Sequence, residues 1–367
     1  MSAPVHGTCD DTFAKVRDVF ERSFEGGEIG AGVAVLIDGE PVIDLWGGWT
    51  DEERTRPWER ATIVNVYSVT KGMASVCLNQ LIERGLLDLD APVSTYWPEF
   101  AQNGKQDISM RLVVSHQAGL PNLPPLPRNL AYDWTAVTTA LAEAAPEWEP
   151  GSQQVYHWGT WGYLNGEVLR RIDGRTMGTY LREEVCEPLG ADFLLGVGPE
   201  HDARCATLAQ GQVVTPFDAA PGLSPEERAE DNAMWGPNSR TWRAAEIPAA
   251  NGHATAMGVA RVYGALARGG ELDGVRILRP ATIDRAIVQI GPGMPMSGGS
   301  PLRFGTGFIL YRDSQGGGPV ATFGHGGIGG AVGLSDRERK LAFGYVMNKM
   351  NSGFRKVLEN AVYECLA

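Results

Sequence analysis

The chain has 367 residues, of which 43% are hydrophobic and 21% charged, so it has the composition of an ordinary globular protein and enough length for one large domain or two. A formal net charge of −12 argues against a nucleic-acid partner, which would need a basic face, and it disfavours binding to an anionic membrane surface. No run of 18 or more apolar residues occurs, so the sequence predicts no transmembrane helix.

The N-terminal segment and the cysteines indicate the compartment. Residues 1–11 have neither a basic start nor an apolar core, so they predict no signal peptide. The cysteines are odd in number, scattered and without a Cys-x-x-Cys spacing, which favours reduced thiols over a disulfide framework or a zinc site. We therefore expect a cytoplasmic protein without a metal or cofactor. The cysteines are Cys9, Cys77, Cys186, Cys205 and Cys365.

The first predicted elements are a helix and a hairpin. Residues 11–25 carry an apolar stripe at helical spacing and predict an amphipathic helix. The stretch from Gly32 to Trp46 predicts two strands, because the turn-forming pair Asp38-Gly39 divides it. From Ser68 to about Arg285 the periodicity is mostly helical, with proline-rich interruptions such as Pro121 to Pro127.

Strand patterns return after the loop from Gly291 to Pro301, and residues 352–366 predict a closing helix. Strands at both ends of a chain are most simply joined in one antiparallel sheet, which the terminal helices would cover on one face. We expect an α/β (α+β) fold in which 1–67 and 291–367 form the sheet domain and 68–290 an inserted, largely helical domain. The predicted late strands are Phe304 to Tyr311, Val320 to Phe323, Ala331 to Leu334 and Leu341 to Met347.

Ser68 and Lys71, in Ser68-Val69-Thr70-Lys71, form the first candidate centre. Residues three apart lie on one face of a helix, so the lysine amine can take the proton that keeps the serine hydroxyl a weak nucleophile. The helical run from Gly72 to Arg84 follows directly, which places Ser68 near a helix N-terminus, where negative charge is favoured.

Tyr156 is the second candidate, in a turn-rich loop before a helical run. A tyrosine there is commonly an ordinary half-buried aromatic. Its functional interpretation is a phenol whose pKa falls beside a lysine ammonium, so that it exchanges a proton with the serine. By contrast, His116 is interpreted as a hydrogen-bonded structural residue, and no histidine shows metal-ligand spacing.

A glycine-rich segment follows the strand pattern at Phe323. Gly324-x-Gly326-x-x-Gly329 formally matches a dinucleotide-binding fingerprint, but a strand rather than a helix is predicted after it, so we reject that interpretation. Glycines at a strand edge instead let a ligand approach the backbone, and an N–H there suits an oxyanion hole.

With these residues in order, the chain resembles the serine β-lactamase and penicillin-binding-protein superfamily, and within it the family VIII carboxylesterases, relatives of class C β-lactamases. The resemblance covers nearly the whole chain. Its matching segments are Ser68-Val69-Thr70-Lys71, Ser115 to Leu120, Tyr156, Asn251-Gly252-His253 and His325-Gly326-Gly327 with the strand after it.

The resemblance implies an antiparallel sheet flanked by helices, a helical domain and a Ser-Lys-Tyr centre. Ser68 would be the nucleophile that becomes acylated, while Lys71 and Tyr156 share its proton. The backbone N–H groups of Ser68 and Ile328 would hold the oxyanion. The implied substrate-binding positions are Trp158, His325, Gly326 and Gly327.

Two positions depart from the β-lactamase pattern. Trp158 stands where β-lactamases carry an asparagine, and His325 where they carry a lysine. Both changes weaken recognition of an anionic penicillin more than they weaken chemistry on a neutral ester. Tryptophans nearby suit either an apolar acyl pocket or the core. They are Trp158, Trp161, Trp235 and Trp242.

The sequence thus predicts a serine hydrolase of short-acyl carboxylic esters, whose partner is a small-molecule ester and neither a nucleic acid nor a membrane. Weak β-lactam hydrolysis is left open. Other enzymes with the same centre also remain open: a β-lactamase, a D-amino-acid peptidase or amide hydrolase, or an acyltransferase. A non-enzymatic penicillin-recognition sensor domain is disfavoured by the intact Ser68, Lys71 and Tyr156. The oligomeric state is unknown.

Overall fold

A computed structural model of the protein describes residues 4–209, 224–296, 300–313 and 320–366. Residues 210–223 of the mostly helical stretch and residues 297–299 of the predicted loop lie outside the described residues.

The secondary structure agrees with the predicted succession of helix, hairpin, helical stretch, strands and helix. The described strands are β1 (Val5–Cys9), β2 (Gly30–Ile37), β3 (Glu40–Gly48), β4 (Val64–Asn65), β5 (Phe193–Leu194), β6 (His253–Ala254), β7 (Glu271–Leu272), β8 (Val275–Arg276), β9 (Arg303–Phe304), β10 (Ile309–Asp313), β11 (Val320–Gly326), β12 (Val332–Asp336) and β13 (Leu341–Met347). The α-helices are α1 (Ala14–Glu25), α2 (Val69–Glu83), α3 (Met110–Val114), α4 (Trp134–Glu143), α5 (Thr160–Asp173), α6 (Met177–Leu181), α7 (Glu187–Leu189), α8 (Pro225–Trp235), α9 (Arg240–Ala244), α10 (Ala256–Ala267), α11 (Pro280–Ala286) and α12 (Phe354–Cys365).

Strands from both ends of the chain form one antiparallel sheet, as predicted. Among the described residues its order is β1-β3-β2-β13-β12-β11-β10-β9. The β2–β3 hairpin turns at Asp38 and Gly39, whose φ angles of 49° and 93° are both in the left-handed region that this two-residue turn requires. The fold class predicted from the sequence is therefore confirmed.

Two details of the sheet differ from the prediction. Strand β1 was not predicted; it pairs with β3 at the sheet edge and has mostly exposed side chains, so it carries no buried apolar pattern. The predicted strand from Phe304 to Tyr311 is two strands, β9 and β10. Gly305 and Gly307 lie between them, and the positive φ of Gly307, 79°, lets the chain turn back on itself.

Helices cover the sheet on opposite faces. On one face, the positions of Gly344 and Gly333 lie against Ala260 and Tyr263 of α10. On the other, the hydroxyl of Tyr345, the next residue after Gly344, donates to Glu28 at 2.8 Å, just beyond the end of α1. The terminal helices α1 and α12 also contact each other, with an ion pair at their surface. The terminal helices therefore cover one face, and α10 covers the other.

Helix α2 runs through the interior, and all of its residues from Val69 to Leu81 are buried. A helix that is surrounded by protein in this way holds its N-terminal residue rigidly. That N-terminus is fixed by a second, three-stranded sheet in which β6 pairs with both β4 and β5. The division of the chain at 68 and 291 stays a prediction; α10, from the segment 68–290, packs on the large sheet. Within the described ranges no helix combines the length and the apolar character that a membrane span needs.

Candidate active site

Ser68 occupies the turn that leads into α2. The preceding residue, Tyr67, is buried with φ of 46°, an uncommon conformation for a bulky side chain that persists only where its surroundings hold it. The surroundings are the segment at Gly252, whose carbonyl accepts from the Val66 N–H at 2.8 Å and whose own N–H donates to Thr70 Oγ at 2.9 Å. The position of Ser68 is thus fixed by the hydrogen bonds of the residues on both sides of it.

The Lys71 amine is buried beside Ser68. Its Nζ lies 3.4 Å from Ser68 Oγ, 2.8 Å from the Trp158 carbonyl oxygen and 3.0 Å from the Ala249 carbonyl oxygen. No carboxylate pairs with it among the described residues. Burial therefore lowers the pKa of Lys71 well below its usual range. A neutral amine has two N–H bonds and a lone pair; with both N–H groups donated to carbonyls, the lone pair is left for the Ser68 hydroxyl.

Tyr156 completes a cluster with these two residues. Its hydroxyl is hydrogen-bonded to Ser68, while Lys71 Nζ lies over its ring at 4.7 Å from the centroid. Burial raises the pKa of Tyr156, although the bond to Ser68 acts in the opposite direction. The expected fall of this pKa beside an ammonium is therefore wrong, because burial disfavours the phenolate. Tyr156 is a phenol and not a phenolate in this arrangement.

The glycine segment at the end of β11 lies against the turn at Val66 and Tyr67, which leads to Ser68. A Cβ on Gly327 would lie 2.2 Å from the Val66 carbonyl oxygen, so only glycine allows this approach. The Gly327 N–H donates to Ala331 at 2.7 Å, whereas the N–H groups of Ser68 and Ile328 donate to no acceptor in the described part of the chain. Two free backbone donors therefore flank this contact, as an oxyanion hole requires.

His325 is buried on β11, with its ring 6.4 Å from that of Tyr156. Burial lowers the pKa of His325 to about 3, so the ring is neutral at pH 7. Its Nδ1 lies 2.9 Å from the Gly326 carbonyl oxygen and must carry the proton. Nε2 is then an acceptor, and it has no partner among the described residues.

The tryptophans divide between core and surface. Trp161 and Trp242 are completely buried, and Trp161 Nε1 donates to the Val114 carbonyl at 3.0 Å, so both belong to the core. Trp158 and Trp235 are partly exposed. Trp158 also reaches the centre through its backbone, since its carbonyl oxygen accepts from Lys71.

Sequence reasoning missed the contribution of Ala249, whose carbonyl oxygen binds Lys71. No sequence signal marks it, because every residue type carries the same carbonyl group. The backbone hydrogen bonds that Gly252 forms with Val66 and Thr70 were likewise not predictable, although Asn251-Gly252-His253 is one of the segments that match the family. Within the described residues, no group of three or more acidic, histidine or cysteine side chains is placed to hold a metal ion.

The large antiparallel sheet with its covering helices matches the architecture of β-lactamase-like and penicillin-binding-protein-like chains. A family model described as Beta-lactamase matches residues 12–365. The chain belongs to the β-lactamase family, as the sequence predicts, and is an enzyme of that class.

Individual relatives are similar over nearly the whole chain. An esterase/β-lactamase from Mycobacterium tuberculosis, LipL, is 36% identical over 368 residues, covering 95% of this chain and 84% of the relative. The crystal structure of a family VIII carboxylesterase matches with a TM-score of 0.86 and 37% identity, covering 99% of this chain and 100% of the other. A penicillin-binding protein homologue from Caulobacter crescentus matches with a TM-score of 0.84, 39% identity and the same coverage.

The contact between Gly327 and the turn that leads to Ser68 predicts a position-specific loss of stability. In Gly327→Ala the new methyl group would meet a backbone carbonyl at 2.2 Å, and we expect the free energy of unfolding to fall by about 1–3 kcal/mol. The neighbouring Gly326→Ala is the matched control, because its methyl group would come no nearer than 3.3 Å to any atom, and that atom is the far end of the flexible Arg355 side chain. Urea unfolding measures the free energy of unfolding of the two variants. Equal losses in Gly327→Ala and Gly326→Ala would show that the close approach does not exist.

Proposed function

We propose that this protein is a carboxylesterase that cleaves short-acyl esters through an acyl-enzyme on Ser68, with Lys71 and Tyr156 as proton carriers. The observation that carries the proposal is the neutral Lys71 amine, held by two carbonyl oxygens with Ser68 Oγ at 3.4 Å. Membership of a family that contains esterases and β-lactamases supports it.

The proton path follows from these contacts. Lys71 takes the proton of Ser68 as Oγ attacks the ester carbonyl, and the backbone N–H groups of Ser68 and Ile328 stabilise the oxyanion. Tyr156 gives its proton to the departing alcohol oxygen, and the Lys71 ammonium restores it. In the second half, water attacks the acyl group while the Tyr156–Lys71 pair takes its proton, and Oγ recovers a proton on leaving.

The substrate class follows from His325. A neutral imidazole with a free Nε2 acceptor has no positive charge for a carboxylate, which the lysine of β-lactamases provides. A neutral ester needs no such charge. As a further part of this proposal, we place the protein in the cytoplasm, since all five cysteines are free thiols.

Substitutions at the centre test the proposal directly. Ser68→Ala should abolish hydrolysis of p-nitrophenyl butyrate, because no other group forms the acyl-enzyme, and Tyr156→Phe should lower kcat at least about 100-fold by removing a proton carrier. Intact-mass analysis after brief mixing should show acylation of Ser68 in the wild type. Full activity in Ser68→Ala would refute the mechanism.

The lowered pKa of Lys71 predicts the pH profile. The neutral amine is the active form, so kcat/KM rises with pH through the Lys71 pKa and is constant above it. Because that pKa lies well below the usual range, we expect the profile to level off well below about pH 10.4, where an ordinary lysine titrates, while the phenol of Tyr156 stays protonated. A profile that climbs tenfold per pH unit up to about pH 10 would mean that Lys71 is an ordinary ammonium.

The neutrality of His325 predicts weak penicillin turnover. We expect kcat/KM for ampicillin to be far below that for the best p-nitrophenyl ester. His325→Arg should raise the ampicillin-to-ester ratio at least about tenfold, since a guanidinium keeps its charge when buried and a charge-assisted hydrogen bond adds about 1.5–3 kcal/mol. The nearby cation, Arg355, does not replace the missing lysine, because its Nε lies 3.7 Å from the Glu359 carboxylate and its charge is already opposed. Equal kcat/KM values for ampicillin and ester in the wild type would contradict the proposed substrate class.

A further inference from the structure

His116 holds the chain on both sides of Tyr156. Its carbonyl oxygen accepts a hydrogen bond from the Val155 N–H at 3.1 Å, and its ring Nδ1 accepts one from the His157 N–H at 3.1 Å. The imidazole also packs on the phenol ring, with the centroids 4.7 Å apart and the planes at 33°. One buried residue therefore contacts the residue before Tyr156, its ring and the residue after it.

We propose that His116 is a positioning residue for Tyr156, and that its Nδ1 acceptor keeps the phenol directed at Ser68. The inference rests on the proposed function, because it requires Tyr156 to be the proton carrier. It extends that function to a residue that the sequence indicated as structural, and that does not itself touch the reacting atoms.

The imidazole can act in this way in one tautomer only. Nδ1 accepts from an N–H, so the ring proton is on Nε2. Burial, followed by the neighbouring His157 and Lys71, keeps the pKa of His116 well below its usual range, so Nδ1 remains an acceptor. His157 has the complementary tautomer: its Nδ1 donates to the Val155 carbonyl at 2.6 Å and its Nε2 accepts from the Leu120 N–H at 3.1 Å. The two rings thus fix the loop together.

Space filling alone does not account for a histidine here. Its Nε2 is buried without a partner among the described residues, which a phenyl ring in the same space would avoid. Its backbone φ is 66°, in the left-handed region that most side chains disfavour and that asparagine and histidine adopt more readily. The contribution that distinguishes imidazole from phenyl at this position is the Nδ1 acceptor.

Two substitutions separate the acceptor from the ring. His116→Asn keeps a side-chain acceptor and suits a positive φ, whereas His116→Phe keeps an aromatic ring and loses the acceptor. With p-nitrophenyl butyrate we expect kcat to fall about 50-fold in His116→Phe and less than about fivefold in His116→Asn, with KM within about twofold in both. His6→Phe, at an exposed position on β1, is the matched control and should behave as the wild type.

A Tyr156→Phe background distinguishes positioning from a general structural defect. If His116 acts through Tyr156, adding His116→Phe to Tyr156→Phe lowers kcat less than about threefold further. A further 50-fold loss, or equal losses in the Asn and Phe variants, would overturn the proposal. Rates are normalised to the sites that a fluorophosphonate labels at completion, so misfolded protein is not counted. If His116→Phe does not fold, His116→Gly, which also accepts a positive φ, is compared with His116→Asn instead.

Failure of the proposed function has a different signature. A wild-type protein that reacts with the fluorophosphonate at Ser68 but hydrolyses no ester contradicts the carboxylesterase proposal. The His116 variants are then ranked by their rates of labelling. Slower labelling in His116→Phe but not in His116→Asn supports the positioning role, and equal rates for the two variants overturn it.

Discussion

The burial of the Lys71 amine without a carboxylate partner is the constraint on which the rest of the site depends. Removing an ammonium ion from water costs several kcal/mol that a carbonyl oxygen does not restore, so burial lowers the pKa of Lys71 and favours the neutral amine. The two carbonyls around it come from different parts of the chain, at Trp158 and Ala249. The helical half of the protein must therefore be folded around α2 before the amine is a base at all.

The state of Tyr156 follows from the state of Lys71. A phenol loses its proton readily only where a positive charge stabilises the phenolate, and the neutral amine over its ring offers none. In the proposed mechanism the lysine is therefore the base and the tyrosine the acid. The two roles can exchange after the first proton transfer, when Lys71 becomes an ammonium beside the same phenol. The proposed mechanism therefore depends on the precise placement of Tyr156. His116 contacts the ring of Tyr156 and forms hydrogen bonds with the residues before and after it.

The sequence was sufficient to predict the elements that local residue patterns determine, and insufficient to predict the backbone groups that form the site. The hairpin at Asp38-Gly39, the helix after Ser68 and the late strands were predictable because their periodicity and turn residues are local. The carbonyl of Ala249, the N–H groups at Ser68 and Ile328 and the φ of Tyr67 carry no side-chain signal, and they emerge only when distant segments meet. The pKa of Tyr156 was wrongly predicted for the same reason, since the burial that neutralises Lys71 is a property of the folded interior.

The uncharged state of the buried side chains at the site bears on the proposed choice of substrate. Tyr156, His116 and His325 are each uncharged at pH 7 because burial disfavours their ionic forms, and burial shifts Lys71 toward its neutral amine in the same way. The chain as a whole carries a formal charge of −12, so the long-range field repels an anion before it reaches the site. Neither the local groups nor the overall field attracts a carboxylate, whereas both are indifferent to an ester. The preference proposed for neutral esters thus depends on the same desolvation acting at His325, whose uncharged ring replaces the cation that β-lactamases present to a carboxylate.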